Sequence, residues 1–180
     1  MSKLIFAMTQ SLDGYVSADD KPGLAPDLVL FRHFIDFERG LAGALYGRRI
    51  YEIMRYWDED QPGWEAHEHD FSAVWRAHPK WVVSRTLQSV GPNAVLVHDD
   101  VETFARDLKA QNQKDIAVAG PELAWSLGKA GLVDEYHLYF RPFVLGGGKP
   151  FFAGALPKLH LLDSERVGDD AIRVRYRSGT

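Results

Sequence analysis

Residues 115–131, DIAVAGPELAWSLGKAG, set four apolar residues (Ile116, Ala117, Val118, Ala119) directly against an amphipathic segment, with one Gly and one Pro at the junction. A run of this length fits a strand buried on both faces. Pro121 suits the first helical position, where the N–H it lacks has no helical partner anyway. Leu123, Ala124, Leu127 and Ala130 recur at helical spacing, and Gly131 ends the helix. A buried strand that turns at once into a helix is the unit of a parallel sheet, whose neighbouring strands need helical crossovers. The open N–H groups and positive dipole end of such a helix also suit an anion. Gly120-Pro121 therefore reads either as a plain turn or as one that faces a phosphate.

The rest of the chain repeats the alternation without a low-complexity linker. Leu4 to Met8 reads as a strand, SLDGY as a turn built on Asp13-Gly14, and residues 17–26 as a loop. DLVLFRHFIDFERGL reads as a helix capped by Asp27, with Leu28, Phe31, Phe34, Ile35 and Leu41 as its apolar stripe. GALYG is a short buried strand, and RRIYEIMRYW a helix after it. Residues 58–70 are a polar excursion, and FSAVWRA is a short helix. KWVVS and AVLVH are strands, and Asp100 caps the helix VETFARDLKAQ. EYHLYFRPF is a long strand, and Leu156 to Leu162 another. AIRVRYR alternates, with Ile172, Val174 and Tyr176 on one face and Arg173, Arg175 and Arg177 on the other, as in an antiparallel strand with one face toward water. The expectation is one domain over residues 1–180: a mostly parallel α/β sheet, helices on both sides, and an antiparallel C-terminal edge.

Composition narrows the function classes. The net charge of −4 advertises no nucleic-acid surface, and no apolar run approaches the roughly 20 residues of a membrane span. The absence of Cys excludes disulfides, thiolate metal sites and a thiol nucleophile, and fits a cytoplasmic location. Lys3 leads straight into LIFAM with no signal-peptide pattern. His67-Glu68-His69-Asp70 is dense in metal-ligand types but reads as a solvated loop, so no metal is expected. Gly146-Gly147-Gly148-Lys149 follows a strand without opening a helix and fails the P-loop pattern; a sharp bend at a pocket rim is the better reading.

In open α/β sheets ligands sit at the carboxyl ends of strands. Three such ends carry suggestive residues: Gly47-Arg48-Arg49, Ser84-Arg85-Thr86 and Gly120-Pro121-Glu122. Helix starts, guanidinium donors and hydroxyls in this order suit a phosphate and a pyrophosphate.

The series MTQSLDGY, GRRIYEIMRYW, VVSRTL, VAGPELAWSL and LVDEYHLYFRPFVLGGGKPFF resembles the family that joins dihydrofolate reductase to the reductase domain of bacterial riboflavin biosynthesis, and most closely the stand-alone RibD C-terminal domain proteins. The likeness runs from Leu4 to about Phe152. It implies a dihydrofolate reductase-like three-layer α/β/α fold, NADPH as hydride donor, and often a homodimer. The long strand EYHLYFRPF and the apolar PFF after it carry more aromatic surface than a lone edge should expose, so the dimer contact is expected at the C-terminal sheet region. Carried over, Gly47 and Arg48 match the start of the pyrophosphate-contacting helix, with Arg49 beside them and Arg48 also reaching the 2′-phosphate. Ser84, Arg85 and Thr86 match the segment at the adenosine ribose phosphate. Gly120, Pro121, Glu122 and Leu123 match the glycine turn under the pyrophosphate, and Ala7 and Val16 flank the nicotinamide. Ile50 departs from the Thr usual in dihydrofolate reductases, and Ala119-Gly120 from a Gly-Gly pair.

On the substrate side Asp27 matches the acid that faces the pterin, a catalytic and substrate-binding role, although the same residue reads equally as a helix cap. Asp13 is either a turn residue or a substrate-pocket group. The resemblance thus implies an NADPH-dependent reductase of a pterin-, folate- or pyrimidine-type heterocycle. The alternatives are the riboflavin-pathway 5-amino-6-(5-phosphoribosylamino)uracil reductase, against which stands the lack of Cys for a deaminase zinc, and a nucleotide-binding dimer without turnover.

Overall fold

The computed structural model describes residues 2–17 and 26–179. Most of the loop expected at residues 17–26 lies outside them. An eight-stranded sheet is built from β1 (Leu4–Gln10), β3 (Gly43–Gly47), β4 (Lys80–Val83), β5 (Ala94–Val97), β6 (Ile116–Ala119), β7 (Glu135–Phe140), β9 (Leu159–Val167) and β10 (Ala171–Ser178), in the order β5-β4-β3-β6-β1-β7-β10-β9. Strands β5 to β7 of that order are parallel; β10 runs antiparallel to both β7 and β9. Two short strands, β2 (Tyr15–Ser17) and β8 (Lys149–Pro150), pair separately.

The helices are α1 (Leu28–Gly40), α2 (Arg48–Met54), α3 (Ala66–Ala77), α4 (Val101–Gln111) and α5 (Pro121–Lys129), with a 3-10 turn at Arg55–Asp58. Alternation along the strands sorts the core into two faces. Leu4, Phe6, Leu45, Ile116, Val118, Tyr136 and Leu138 meet Ala105 and Leu108 of α4 and Ala124 and Leu127 of α5. Ala44, Tyr46, Val82 and Ala117 meet the α1–α3 side through Leu41, Tyr51 and Trp75. This is the three-layer arrangement expected.

Several elements differ in detail. Leu28 is exposed, and Leu30 joins the expected Ile35 as a buried residue of α1. α3 begins at Ala66 and takes in His67–Asp70, which the sequence reads as loop. RRIYEIM is α-helical, but RYWD tightens to the 3-10 form. β9 starts at Leu159 and continues through DSER to Val167. The arginines of β10 do not simply face water: Arg173 and Arg175 are ion-paired to Glu165 and Asp163 of β9, and Arg173 is largely covered. Gly131, at φ 69°, takes the left-handed conformation expected after α5.

One irregularity positions everything that follows. β1 pairs with β6 only through Phe6–Val118, yet continues beside β7 as far as Gln10–Phe140. From Ala7 onward the β6 side of β1 has no strand neighbour, because β6 ends at Ala119 and turns into α5. The sheet therefore has a gap between the carboxyl ends of β1 and β6, the kind of candidate cleft in which open α/β sheets hold ligands.

Candidate active site

The three suggestive strand ends converge beside this cleft. Gly47 ends β3 and precedes α2; Gly120 ends β6 and precedes α5. They are adjacent: a Cβ built on Gly120 would stand 3.5 Å from Ile50 Cγ2 and 3.9 Å from both the Cα and N of Gly47. A Cβ on Gly47 would stand 3.9 Å from that of Leu123. Gly120 has φ 115°, a conformation that side-chain-bearing residues rarely adopt.

The third segment joins through side chains. Arg48 Nη1 donates to Thr86 Oγ1 at 2.7 Å, while its Nε donates to Glu52 Oε1 at 3.0 Å. Ser84 Oγ accepts from the N–H groups of Thr86 and Leu87 at 3.2 and 3.0 Å, which fixes the turn that carries the exposed Arg85. Arg49 lies close enough to Glu122 to act on its carboxyl electrostatically.

Helix starts elsewhere are closed by the protein's own carboxylates. Asp27 accepts from Leu30 N–H at 2.8 Å, and Asp100 from Thr103 N–H at 3.2 Å. At α3 the Glu68 carboxylate accepts from Glu65 N–H at 2.8 Å. At α2 and α5 the capping position is a glycine that offers no side chain. The first carboxylate of α5, Glu122, is turned instead to Lys149, with Nζ at 2.9 Å. That ammonium holds the Glu122 carboxyl below its ordinary range, and Arg49 adds to the effect. Lys149 is a cation that the sequence reading left out of the site. Its glycine run was seen as a rim bend, but only the β2–β8 pairing carries the lysine to α5.

Asp13 organises that bend: its carboxylate accepts from Leu145 and Gly146 N–H groups at 3.1 and 2.7 Å. Its hydrogen bond with Ser11 lowers its pKa, and the two backbone donors act the same way. Asp27 is held at the start of α1. Besides Leu30, it accepts from Asp169 N–H at 3.3 Å, and Gly168 packs so closely that an added Cβ would stand 2.5 Å from Oδ1. The Leu30 N–H is the main cause of its depressed pKa; Asp169 and the Arg141 guanidinium contribute. Ala7 lies just past the last β1–β6 pair, and Val16 packs against the cluster that contains Phe6. Gly47 and Gly120 meet, Arg48 reaches Thr86, and Arg49 acts on Glu122, whereas Asp27 and Asp13 are engaged by backbone donors.

The residues present suit an anionic group: two helix starts without a capping side chain, with Arg48 tied to Thr86 and Lys149 paired to Glu122. No metal-holding group of three or more His, Cys, Asp or Glu occurs among the described residues.

The fold is dihydrofolate-reductase-like: three layers around a mostly parallel sheet with an antiparallel edge. Over its full length the fold aligns with a dihydrofolate reductase from Enterococcus faecalis complexed with NADP(H), at TM-score 0.66 and 12% identity, covering 99% of this chain and 97% of that one. A putative riboflavin biosynthesis protein from Shewanella sp. PV-4 matches at TM-score 0.74 and 21% identity, covering 100% of both chains. The uncharacterized protein YyaP of Bacillus subtilis is 28% identical over 97% of this chain and 94% of its own. The RibD C-terminal domain family matches residues 2–172, and the chain belongs to that family.

Proposed function

We propose that this protein is an NADPH-dependent reductase of a pterin-, folate- or pyrimidine-type heterocycle. The observation that carries the reading is the pair of glycine-capped helix starts side by side at the cleft, in a protein whose other helices are closed by carboxylates. The α5 start receives the pyrophosphate, with Pro121 fixing its first turn and Glu122 and Leu123 offering N–H groups. Arg48, Arg49, Ser84, Arg85 and Thr86 hold the adenosine phosphates, and Ala7 and Val16 line the nicotinamide end. When bound, NADPH supplies the hydride. Asp27 is the acid carried over for the substrate, but its engagement with Leu30 and Asp169 favours the cap reading.

Family membership favours one narrower reading, the pyrimidine of riboflavin biosynthesis, 5-amino-6-(5-phosphoribosylamino)uracil. A cytoplasmic homodimer accompanies the proposal. The test is an NADPH fluorescence titration, followed by loss of NADPH absorbance with dihydrofolate and with the phosphoribosylamino-uracil. Micromolar binding and oxidation with either compound are expected. Binding without oxidation would leave the nucleotide-binding dimer, and absence of both would end the reading.

A further inference from the structure

Glu122 lies in the first turn of α5, directly after Pro121, and its carboxylate meets Lys149 Nζ of β8 at 2.9 Å. Lys149 follows the glycine run after β7. It reaches α5 because β8 pairs with β2, with Ser17 opposite Lys149 and Tyr15 opposite Pro150. Asp13 fixes the same run by accepting from the Leu145 and Gly146 N–H groups. Arg49, the second residue of α2, also acts on the Glu122 carboxyl. The carboxylate thus draws on cations from two elements, β8 and α2, at the place where the starts of α2 and α5 adjoin through Gly47 and Gly120.

The two partners differ in freedom: the Glu122 side chain is 72% exposed and that of Lys149 only 28%. An ion pair this open adds little to the fold. A carboxylate in the first turn suits the helix dipole, so Glu122 is the protein's own anion at a start whose capping residue, Gly120, offers no side chain. A phosphate at that start carries the same sign of charge and repels the carboxylate, while competing for the same ammonium. Lys149 also has a telling neighbour. Val16, placed at the nicotinamide end in the reading above, lies between Tyr15 and Ser17, the residues opposite Pro150 and Lys149. In a dinucleotide the pyrophosphate is the first charged group beyond the nicotinamide riboside, so a ribbon that lines the one end reaches the other with its lysine.

We propose that Lys149 is a pyrophosphate-binding residue of the nucleotide site, and that Glu122 is the placeholder it holds until the pyrophosphate takes over that ammonium. The proposal rests on the NADPH reading above. On binding, Lys149 exchanges one anion for another, and the exposed Glu122 side chain turns to water. The two members of one ion pair therefore act on nucleotide affinity with opposite signs: Lys149 for it, Glu122 against it. A pair that only tied the β2–β8 ribbon to α5 would act with a single sign, since removing either member breaks it. Lys149 also differs from Arg48 in what it reads. The pyrophosphate is common to NADPH and NADH, whereas the 2′-phosphate is not.

The test titrates NADPH and NADH against wild type, Lys149→Met, Lys149→Arg and Glu122→Gln at low and high salt, with thermal midpoints alongside. Lys149→Met should raise both dissociation constants about tenfold or more, the usual worth of a charge-assisted contact to phosphate, and flatten their salt dependence. Lys149→Arg keeps the charge and should stay within about threefold of wild type. Glu122→Gln should lower both constants, by about fivefold where the exposed pair is at the upper end of its usual worth. Midpoints of all three variants should lie within about 4 °C of wild type. Glu122→Gln without a gain in affinity, or Lys149→Met without a loss, would overturn the proposal and leave the reductase reading intact. Glu122→Gln decides the sign even if Lys149→Met fails to fold. A loss confined to NADPH would put Lys149 at the 2′-phosphate and overturn the pyrophosphate role. A wild type that binds neither nucleotide would overturn the reductase reading and this proposal with it.

Discussion

Gly120 stands against Gly47 so closely that a Cβ on the first would lie 3.9 Å from the Cα and N of the second. Two helix starts are thereby brought side by side with no side chain between them. From sequence alone, Gly120→Val would cost the fold little unless the glycine needs positive φ. At φ 115° it does. The substitution should therefore destabilise the protein by about 1–3 kcal/mol, the range for a side-chain-bearing residue held in such a conformation. It should also weaken NADPH binding well over tenfold, since the valine would fill the cradle. Thermal midpoints and a fluorescence titration measure the two losses, and Gly120→Ala should follow the same order with smaller effects. Unchanged cofactor affinity in a folded variant would mean that the turn is only a turn.

The contrast between β6 and β9 explains what the sequence discloses. β6 is buried on both faces, so its apolar run, the glycine turn and the helix after it are legible from a single stretch. β9 carries Asp163, Ser164, Glu165 and Arg166 in its middle, and becomes recognisable as a strand only when Arg175 and Arg173 are known to lie opposite two of its acids. The start of α3 is hidden for a related reason. The His67 ring packs 4.8 Å from that of Phe31 on α1, a contact with no local signature, and the cap between Glu65 and Glu68 that starts the helix lacks the usual Ser, Thr, Asp or Asn. The residues proposed for the phosphates stand out in the sequence because each sits at a strand end with its own turn chemistry. The contacts of Lys149 with Glu122 and of His33 with Tyr139 do not, because the partners lie far apart in the chain.

Asp27→Ala should lower stability at neutral pH by about 1 kcal/mol, the usual loss when a capping side chain is removed. Because its carboxyl is held below the ordinary value, chiefly by the Leu30 N–H, its contribution is present above the unfolded pKa of about 4 and is lost as pH falls through the lower folded value. Thermal midpoints of the alanine variant and wild type should therefore converge in acid. Asp27→Asn keeps a good cap and should keep the neutral-pH midpoint. A large fall in NADPH oxidation by this folded variant would restore the catalytic role of the carboxylate.

The proposed dimer keeps to the C-terminal sheet region but cannot pair through EYHLYFRPF. EYHLYFRPF is not an edge: β7 lies between β1 and β10 and is buried from Glu135 to Tyr139, and Phe151 is buried as well. The open edge is β9, where Leu161 is 60% exposed, and Ile172 on neighbouring β10 is 54% exposed. Long unpaired edges with apolar side chains are prone to pair with another chain. Light scattering at micromolar concentration should read about twice 20.3 kDa, and Leu161→Lys should halve that mass. A wild type that scatters as a monomer would remove the dimer from the proposal.

Cofactor choice should follow Arg48. Its guanidinium is half-exposed and tied to Glu52 and Thr86 at the mouth of the cradle, where a 2′-phosphate would meet it. An exposed pair of this kind adds little to the fold, typically about 0–1 kcal/mol. A charge-assisted contact to phosphate is worth about 1.5–3 kcal/mol, which is about tenfold or more in affinity. Arg48→Met should therefore leave the thermal midpoint nearly unchanged, raise the NADPH dissociation constant about tenfold or more, and leave that for NADH close to the wild-type value. Thr86→Val should have a smaller effect in the same direction, since it frees the guanidinium from one anchor without removing its charge. Titrations of both nucleotides against both variants measure the difference. Equal dissociation constants for NADPH and NADH in the wild type would show that neither Arg48 nor Arg85 reads the 2′-phosphate.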